Sequence, residues 1–357
     1  MASIAPFKQT GADDRARFFT PALWRQRREH IFDLLKRFKP GSVIDYGCGE
    51  GSVISFLITC NDEPPITRLA GLDISSEALS ECKDRCKPNS NDFNNLRERP
   101  LKVELFRGSV DSPSQQLLGF DAIVSSEVIE HLYPETLEKF PTVVFGIYRS
   151  PLVIISTPNA EFNVLFPQLN YLQPNATFRD DDHKFEWTRA EFQEWCQINC
   201  DKYGYDVEYS GVGKTPKEED RHLGFCTQFA VFKRKDVSPK LPNSEFREHE
   251  VVADFEFPWF NKQVTDSDRM DCILNYAKYM PPVSTSVPEA WPIFKIEAFW
   301  GLLKVRQYNR TLQNFLDFIL TPSRNGGKLS LQDDAHFILH QIPEKLITAF
   351  DKKRPEY

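Results

Sequence analysis

The chain has 357 residues, a hydrophobic fraction of 41% and a formal net charge of −7. This length can bury one large core and leaves room for a second, smaller unit. The negative charge argues against a protein that coats nucleic acid non-specifically, because such proteins carry an overall positive field. The sequence contains no apolar run long enough for a membrane span, and its first residues lack the order of a signal peptide. We therefore expect an intracellular, soluble protein that makes no membrane contact. We also expect it to be a monomer.

The eight cysteines are scattered without CxxC pairs, which predicts reduced thiols rather than a disulfide framework. Cys82 and Cys86 are four residues apart, as are Cys196 and Cys200, and a four-cysteine zinc site is one interpretation. The same spacing places two core residues on one face of a helix. We favour the core interpretation.

A basic helical stretch opens the patterned part of the chain. It runs from Pro21 to Phe38, with apolar residues at intervals of three and four, and ends before Pro40. Residues 15–39 contain eight basic side chains and two acidic ones. This local charge is a candidate for phosphate contacts, and a solvated helix face is the alternative.

Short β-rich runs then alternate with helical patterns. The predicted strands are 42–46, 69–74, 102–106, 122–126 and 152–156, and the predicted helices are 53–58, 76–86, 134–148 and 188–203. This alternation predicts an α/β fold with a doubly wound, mostly parallel sheet. Two further runs, 207–212 and 227–233, follow without a helix between them, so we expect an antiparallel pair at the sheet edge.

The resulting seven-stranded sheet with an antiparallel C-terminal hairpin resembles the Rossmann-like methyltransferase fold. We assign residues 1–18 to a polar leader and residues 19–235 to one methyltransferase-like domain. Residues 236–357 are Pro-punctuated and polar, with helical patterns at 270–279, 296–307 and 312–319. They are expected to form a helical or partly disordered appendage of unknown function.

A glycine-rich loop follows the first predicted strand and opens a helix. Glycines at alternate positions let the backbone approach a ligand closely. The dinucleotide fingerprint GxGxxG does not fit, because Gly51 comes one residue too early for it. With Asp45 in front of Gly47 and Gly49, the loop is instead similar to the first motif of S-adenosylmethionine-dependent methyltransferases.

Two more strand ends complete the predicted cofactor site. Asp73 stands at the carboxyl tip of the second strand, where a carboxylate can accept hydrogen bonds from ribose hydroxyls. Ser109 and Val110 follow the third strand, a position where the methyltransferase fold usually contacts adenine.

The fourth predicted strand runs into Glu127, Glu130 and His131, which one turn of helix would point to the same side. Two carboxylates and an imidazole that converge on one point disturb each other's protonation unless a cation lies between them. Such ligands suit Mg²⁺ or Mn²⁺. His183, which precedes a predicted helix after the fifth strand, is the candidate fourth ligand, and a structural histidine is the alternative.

These motifs carry a family resemblance. The pattern Glu127-x-x-Glu130-His131 followed by the run DHKFEW at 182–187 resembles the small-RNA 3′-terminal 2′-O-methyltransferase family, which includes plant microRNA and animal piRNA methyltransferases. The runs STPN at 156–159 and FTPALWRQR at 19–27 are similar as well. No RNA-duplex-binding domain of the plant type is recognised, so we expect the compact animal form and single-stranded RNA as substrate.

The resemblance implies S-adenosylmethionine as methyl donor and a divalent metal that binds the 2′- and 3′-hydroxyls of the last nucleotide. Glu127, Glu130, His131 and His183 would be the metal ligands and catalytic residues, with either histidine as proton acceptor. It further implies a piRNA-like substrate, an Argonaute/Piwi-family partner and a cytoplasmic location that includes RNA granules.

Contacts with the RNA are assigned to side chains outside the metal site. Arg25 and Arg27 are candidates for phosphate contacts, and Trp24 and Trp187 for stacking on bases. Core packing is the alternative for the two tryptophans. Two other functions remain open: a small-molecule methyltransferase of the same fold, and a non-catalytic adaptor for an Argonaute/Piwi-type protein.

Overall fold

The structure is a computed structural model that describes residues 19–60, 63–215, 217–236, 245–283 and 291–340. The described residues form two compact units. The first unit extends to Asn95 and continues over Pro100–Pro258, and the second comprises Leu96–Arg99 and the residues from Trp259 onward. The predicted polar leader lies outside the described residues.

A mixed sheet of eight strands forms the centre of the first unit. The strands are β1 (Ser42–Tyr46), β2 (Arg68–Asp73), β3 (Leu101–Arg107), β4 (Ala122–Ser126), β5 (Leu152–Pro158), β6 (Tyr205–Lys214), β7 (Phe225–Arg234) and β8 (Glu250–Phe257). Their order is β6-β7-β5-β4-β1-β2-β3-β8, and β7 and β8 run against the other six. The predicted α/β class, the mostly parallel sheet and the antiparallel pairing of β6 with β7 are confirmed.

The predicted number of seven strands is wrong, because β8 adds an eighth strand at the opposite edge. β8 pairs antiparallel with β3, from Leu101↔Phe257 to Arg107↔Glu250. Ala253 is buried, as is Phe257, so β8 contributes to the core beneath this edge. The first unit therefore continues past the predicted domain end at residue 235.

Helices cover both faces of this sheet. They are α1 (Leu23–Phe38), α2 (Ser52–Thr59), α3 (Ser76–Cys86), α4 (Ser90–Asn94), α5 (Pro134–Pro141) and α6 (Arg189–Tyr203). One buried cluster packs α1, α2 and α3 on the sheet, and a second packs α5 and α6 on it. Ser75 caps α3 and Thr188 caps α6, each with a side-chain oxygen that accepts a backbone N–H.

The predicted helix 134–148 has two parts. α5 ends at Pro141, and Thr142–Tyr148 continues as a π-helix. Proline lacks an N–H and its ring crowds the preceding turn, which disfavours a regular α-helix through this point.

The second unit has a hydrophobic core of its own. Its helices are α7 (Asp266–Ala277), α8 (Ile296–Trp300), α9 (Leu303–Asn309), α10 (Leu312–Leu320) and α11 (Pro322–Asn325), and its strands are β9 (Ile293–Lys295), β10 (Leu329–Asp333) and β11 (His336–Leu339). The predicted helical character of this region is confirmed, although the single helical pattern predicted at 296–307 corresponds to two helices, α8 and α9. The small antiparallel sheet β10-β11-β9 was not predicted, since its strands have only three to five residues. No helix in the described ranges combines the length and apolar character needed to cross a bilayer.

Candidate active site

A cavity of about 560 Å³ opens at the carboxyl ends of the parallel strands. Gly47 and Gly49 line it with φ angles of 88° and 50°, which side chains with a Cβ rarely adopt. Asp73 lines it as well, and its carboxylate accepts hydrogen bonds from the Gly49 N–H at 2.7 Å and the Ser75 N–H at 2.9 Å. These bonds join the loops after β1 and β2 into one rim.

The other four predicted cofactor residues divide between the wall and the interior. Ser109 and Val110 line the cavity. Asp45 is 4% exposed, and burial raises the pKa of its carboxyl well above the ordinary value. Gly51 is buried with a φ of 77°, and a Cβ there would come within 2.4 Å of the Cys82 Sγ. The structure thus places Asp45 and Gly51 in the interior rather than on the cavity wall.

Three predicted metal ligands come together after β4 and β5. Glu130 and His131 lie in the short 3₁₀ helix Ile129–His131, and their ligand atoms and that of His183 all lie within 4.8 Å of one another. Glu130 is fully buried, and its Oε2 accepts a hydrogen bond from the Thr157 hydroxyl at 3.0 Å. Its Oε1 has no hydrogen-bond partner among the described residues.

Electrostatics at Glu130 favour a cation. Burial, and then the neighbouring Glu127 carboxylate, raise the pKa of Glu130 well above its ordinary value. A buried carboxylate with one open oxygen beside two imidazoles is a donor set that a divalent cation would stabilise. The residues present therefore fit the expected metal.

Glu127, the fourth predicted ligand, is not part of this three-residue group, and its place in the ligand set stays a prediction. Its backbone has a φ of 57°, so the helical turn assumed in the prediction is absent at this residue. Its Oε1 accepts a hydrogen bond from the Ser156 hydroxyl at 3.0 Å, and its Oε2 lies 3.2 Å from Nη1 of Arg27. Among the described residues, the structure assembles Glu130, His131 and His183 and holds Glu127 beside them.

The two histidines are oriented by carboxylates. Their rings meet edge to face with centroids 4.8 Å apart. The Nδ1 of His131 lies 3.2 Å from Oδ2 of Asp182, and the Nδ1 of His183 lies 2.6 Å from Oε1 of Glu186. Burial alone would raise the pKa of Glu186, but the His183 hydrogen bond and the nearby Arg179 hold it below the ordinary value.

A second cavity of about 310 Å³ adjoins the first. All four predicted metal ligands line it, together with side chains from the start of the described chain. Glu127 and His131 line both cavities, so the two spaces meet beside the candidate metal ligands. A molecule bound in the second cavity would therefore face a molecule bound in the first, with the candidate metal ligands beside both.

The four predicted RNA-contact residues have different surroundings. Trp24 is 53% exposed and lines the second cavity, as does Arg27. Arg25 is exposed and forms an ion pair with Glu29 at 2.8 Å. Trp187 packs among aromatic rings whose centroids are 4.4 to 6.4 Å away. These contacts favour the core-packing alternative for Trp187.

Several residues of this site were missed by sequence reasoning. Thr157, Asp182, Glu186 and Arg179 all contact a candidate ligand or its partner. The runs 156–159 and 182–187 that contain three of them were recognised as motifs. A single sequence does not reveal which side chains within such runs face one another.

The fold and the site define a class. The glycine-rich loop, the acidic tip of β2 and the cavity between them belong to an S-adenosylmethionine-dependent methyltransferase fold, and a family described as a methyltransferase domain matches residues 23–209. Among solved structures, a crystal structure of the small RNA methyltransferase HEN1 aligns with a TM-score of 0.53 and 29% identity, over 68% of this chain and 29% of that one.

Curated relatives narrow the class to a family. A chicken small RNA 2′-O-methyltransferase is 43% identical over 224 residues, which are 63% of this chain and 57% of the relative. A Drosophila melanogaster protein of the same name is 34% identical over 267 residues, which are 71% of this chain and 67% of that relative. The chain belongs to the small RNA 2′-O-methyltransferase family. It spans about 57% of the length of the chicken and rat relatives.

Proposed function

We propose that the protein transfers a methyl group from S-adenosylmethionine to the 2′-hydroxyl of the 3′-terminal nucleotide of small single-stranded RNAs. The observation that carries this proposal is the junction of the two cavities at Glu127 and His131. One cavity has the loop geometry of the cofactor site, and the other contains the three candidate metal ligands. A methyl donor and a hydroxyl acceptor would therefore meet beside the ligands.

Glu130, His131 and His183 would hold a divalent cation. Two neutral imidazoles and one carboxylate leave coordination positions for the acceptor, and their mixed oxygen and nitrogen donors suit Mn²⁺ or Mg²⁺. Such an ion, when bound, supplies Lewis-acid activation of a poorly nucleophilic hydroxyl. The open Oε1 of Glu130 supports its presence, because a buried carboxylate oxygen without a partner is costly.

The remaining side chains of the second cavity would position the RNA end. Trp24, which is 53% exposed, offers apolar surface on which a base can stack. Arg27 brings positive charge to the same cavity and is 24% exposed. A terminal 2′,3′-diol in front of the ligand group would be the recognised feature, so RNAs that lack either hydroxyl should be poor substrates.

The family membership supports the RNA substrate, since the matched relatives bear the name small RNA 2′-O-methyltransferase. The preference for piRNA-like RNA, the Argonaute/Piwi-family partner, the monomeric state and the cytoplasmic location are parts of the same proposal.

Methyl transfer from labelled cofactor tests the proposal. The substrates are a short single-stranded RNA with a free 2′,3′-diol, its 3′-terminal 2′-deoxy twin and its 3′-phosphorylated twin, each with chelator and with added Mn²⁺. We expect Mn²⁺-dependent labelling of the diol RNA alone. Equal labelling of the 2′-deoxy twin would refute terminal 2′-O-methylation, and labelling of none would favour a small-molecule acceptor or a non-catalytic adaptor.

A further inference from the structure

One short segment contacts every member of the candidate metal group. Residues 182–186 lie between β5 and α6 and contribute the ligand His183 itself. The segment also contacts Glu130 and His131, which follow β4 on the other side of the group. The segment thus joins ligands from two separate strand ends.

Two of these contacts orient the histidine rings, and the third holds the backbone of Glu130. The Oδ2 of Asp182 lies 3.2 Å from Nδ1 of His131, and Oε1 of Glu186 lies 2.6 Å from Nδ1 of His183. The backbone N–H of Lys184 donates to the carbonyl oxygen of Glu130 at 2.7 Å. The pKa values of Asp182 and Glu186 are lowered, and an ionised carboxylate can only accept a hydrogen bond. Nδ1 therefore carries the proton in both rings, and Nε2 is the nitrogen available as a ligand.

The segment is itself firmly held. Glu186 accepts hydrogen bonds from the Arg179 N–H at 2.7 Å and from the Asn163 side-chain amide at 2.5 Å. The ring of Phe185 packs on Trp187 with centroids 4.4 Å apart. At the other end, the Lys184 ammonium group donates to the Asp182 carboxylate at 2.9 Å. These contacts give the segment a fixed shape against which the two histidines are placed.

We propose that segment 182–186 is a brace for the metal site, in which Asp182 and Glu186 are positioning residues that set the tautomer and orientation of His131 and His183. This inference rests on the proposed function, because it presumes that the three ligands bind a divalent cation. A carboxylate behind a ligating histidine raises the basicity of the imidazole and fixes its ring, and its removal typically weakens metal binding about 10- to 100-fold.

The two carboxylates offer complementary variants. Glu186 is buried, with a side chain only 1% exposed, so a Glu186→Gln protein has to be checked for folding. The Asp182 side chain is 70% exposed, so Asp182→Ala leaves the core intact. Asp181→Ala is the matched control, because the neighbouring Asp181 is also exposed and the same charge is lost.

The test is calorimetric titration of the full chain with Mn²⁺, without RNA or cofactor, beside thermal unfolding of each variant. We expect Asp182→Ala and Glu186→Gln to bind Mn²⁺ about tenfold or more weakly than wild type. Asp181→Ala should bind as wild type does. High Mn²⁺ should restore methyl transfer to Asp182→Ala, which a misfolded protein would not allow.

The possible outcomes distinguish failure of the brace from failure of the proposed metal-dependent function. If wild type binds Mn²⁺ and Asp182→Ala binds it as tightly as Asp181→Ala does, the brace is overturned and the proposed function stands. If wild type binds no Mn²⁺, the metal-dependent function fails, and the brace fails with it.

Discussion

Glu130 combines complete burial with a neighbouring carboxylate and an unpartnered oxygen. Its pKa is raised above the ordinary value of 4.5, so the folded, metal-free protein retains a proton that the unfolded chain releases. By linkage, the contribution of this group to stability is present below pH 4.5 and is lost as pH rises through the raised pKa.

Glu130→Gln should remove that pH dependence. In chelator, the variant should gain stability over wild type as pH rises, by up to about 1.4 kcal/mol per pH unit over the interval between the two pKa values. The measurement is the free energy of unfolding against pH for both proteins. Parallel pH profiles would contradict the raised pKa. Calorimetry with Mn²⁺ should show that the same variant no longer binds the ion.

The two arginines of α1 offer a second residue-scale test. Arg27 lines the second cavity beside Glu127, whereas Arg25 pairs with Glu29 outside it. Arg27→Ala should therefore lower kcat/KM for the RNA about tenfold, equivalent to about 1.4 kcal/mol, and Arg25→Ala should change it little. Equal effects of the two substitutions would contradict a special role for the cavity arginine.

At the scale of elements, burial pattern determined what the sequence could predict. β1 and β4 were predicted with the bounds that the structure has, because each is a short, mostly buried run that contains consecutive apolar residues. β8 was missed because it follows a Pro-punctuated polar stretch and its partner β3 lies far away in the chain. Pairing of that kind is a tertiary contact that local pattern does not reveal.

The candidate site also combines features that local sequence predicts with features that depend on tertiary contacts. The types of residue in the metal group followed from the motif, and three of them do converge. The helical turn that was assumed at Glu127 is absent, because the backbone of this residue is left-handed. The supporting carboxylates Asp182 and Glu186 depend on how two strand ends approach each other, so they appeared only in the structure.

The turn from β1 into α2 provides a prediction about the cofactor loop. Gly51→Ala would force a Cβ onto Cys82 Sγ in addition to the strain of a positive φ. We expect lower stability and at least about tenfold weaker S-adenosylmethionine binding, a loss of about 1.4 kcal/mol. Gly119→Ala is the control, because Gly119 has a φ of 79° but open space around its Cβ position. Equal cofactor affinity in the two variants would contradict the packing role of Gly51.

At the scale of the whole molecule, the first unit ends at Pro258 rather than at residue 235. A chain truncated after residue 258 should retain cofactor binding, since it keeps β8 and its buried Phe257. A chain truncated after residue 235 exposes the β3 edge and should unfold at a lower temperature, because loss of one buried phenylalanine alone costs about 3–5 kcal/mol. Equal melting temperatures for the two chains would contradict this boundary.

The central claim is that Glu130, His131 and His183 direct methylation to the terminal 2′-hydroxyl of RNA. The most direct test is mass spectrometry of the nucleosides released from a single-stranded RNA after reaction with the full chain, Mn²⁺ and S-adenosylmethionine. Wild type should yield one 2′-O-methylated nucleoside, derived from the 3′ end, and His183→Ala should yield none above background. Methylation of a base or of internal riboses, or an undiminished yield from His183→Ala, would contradict the claim.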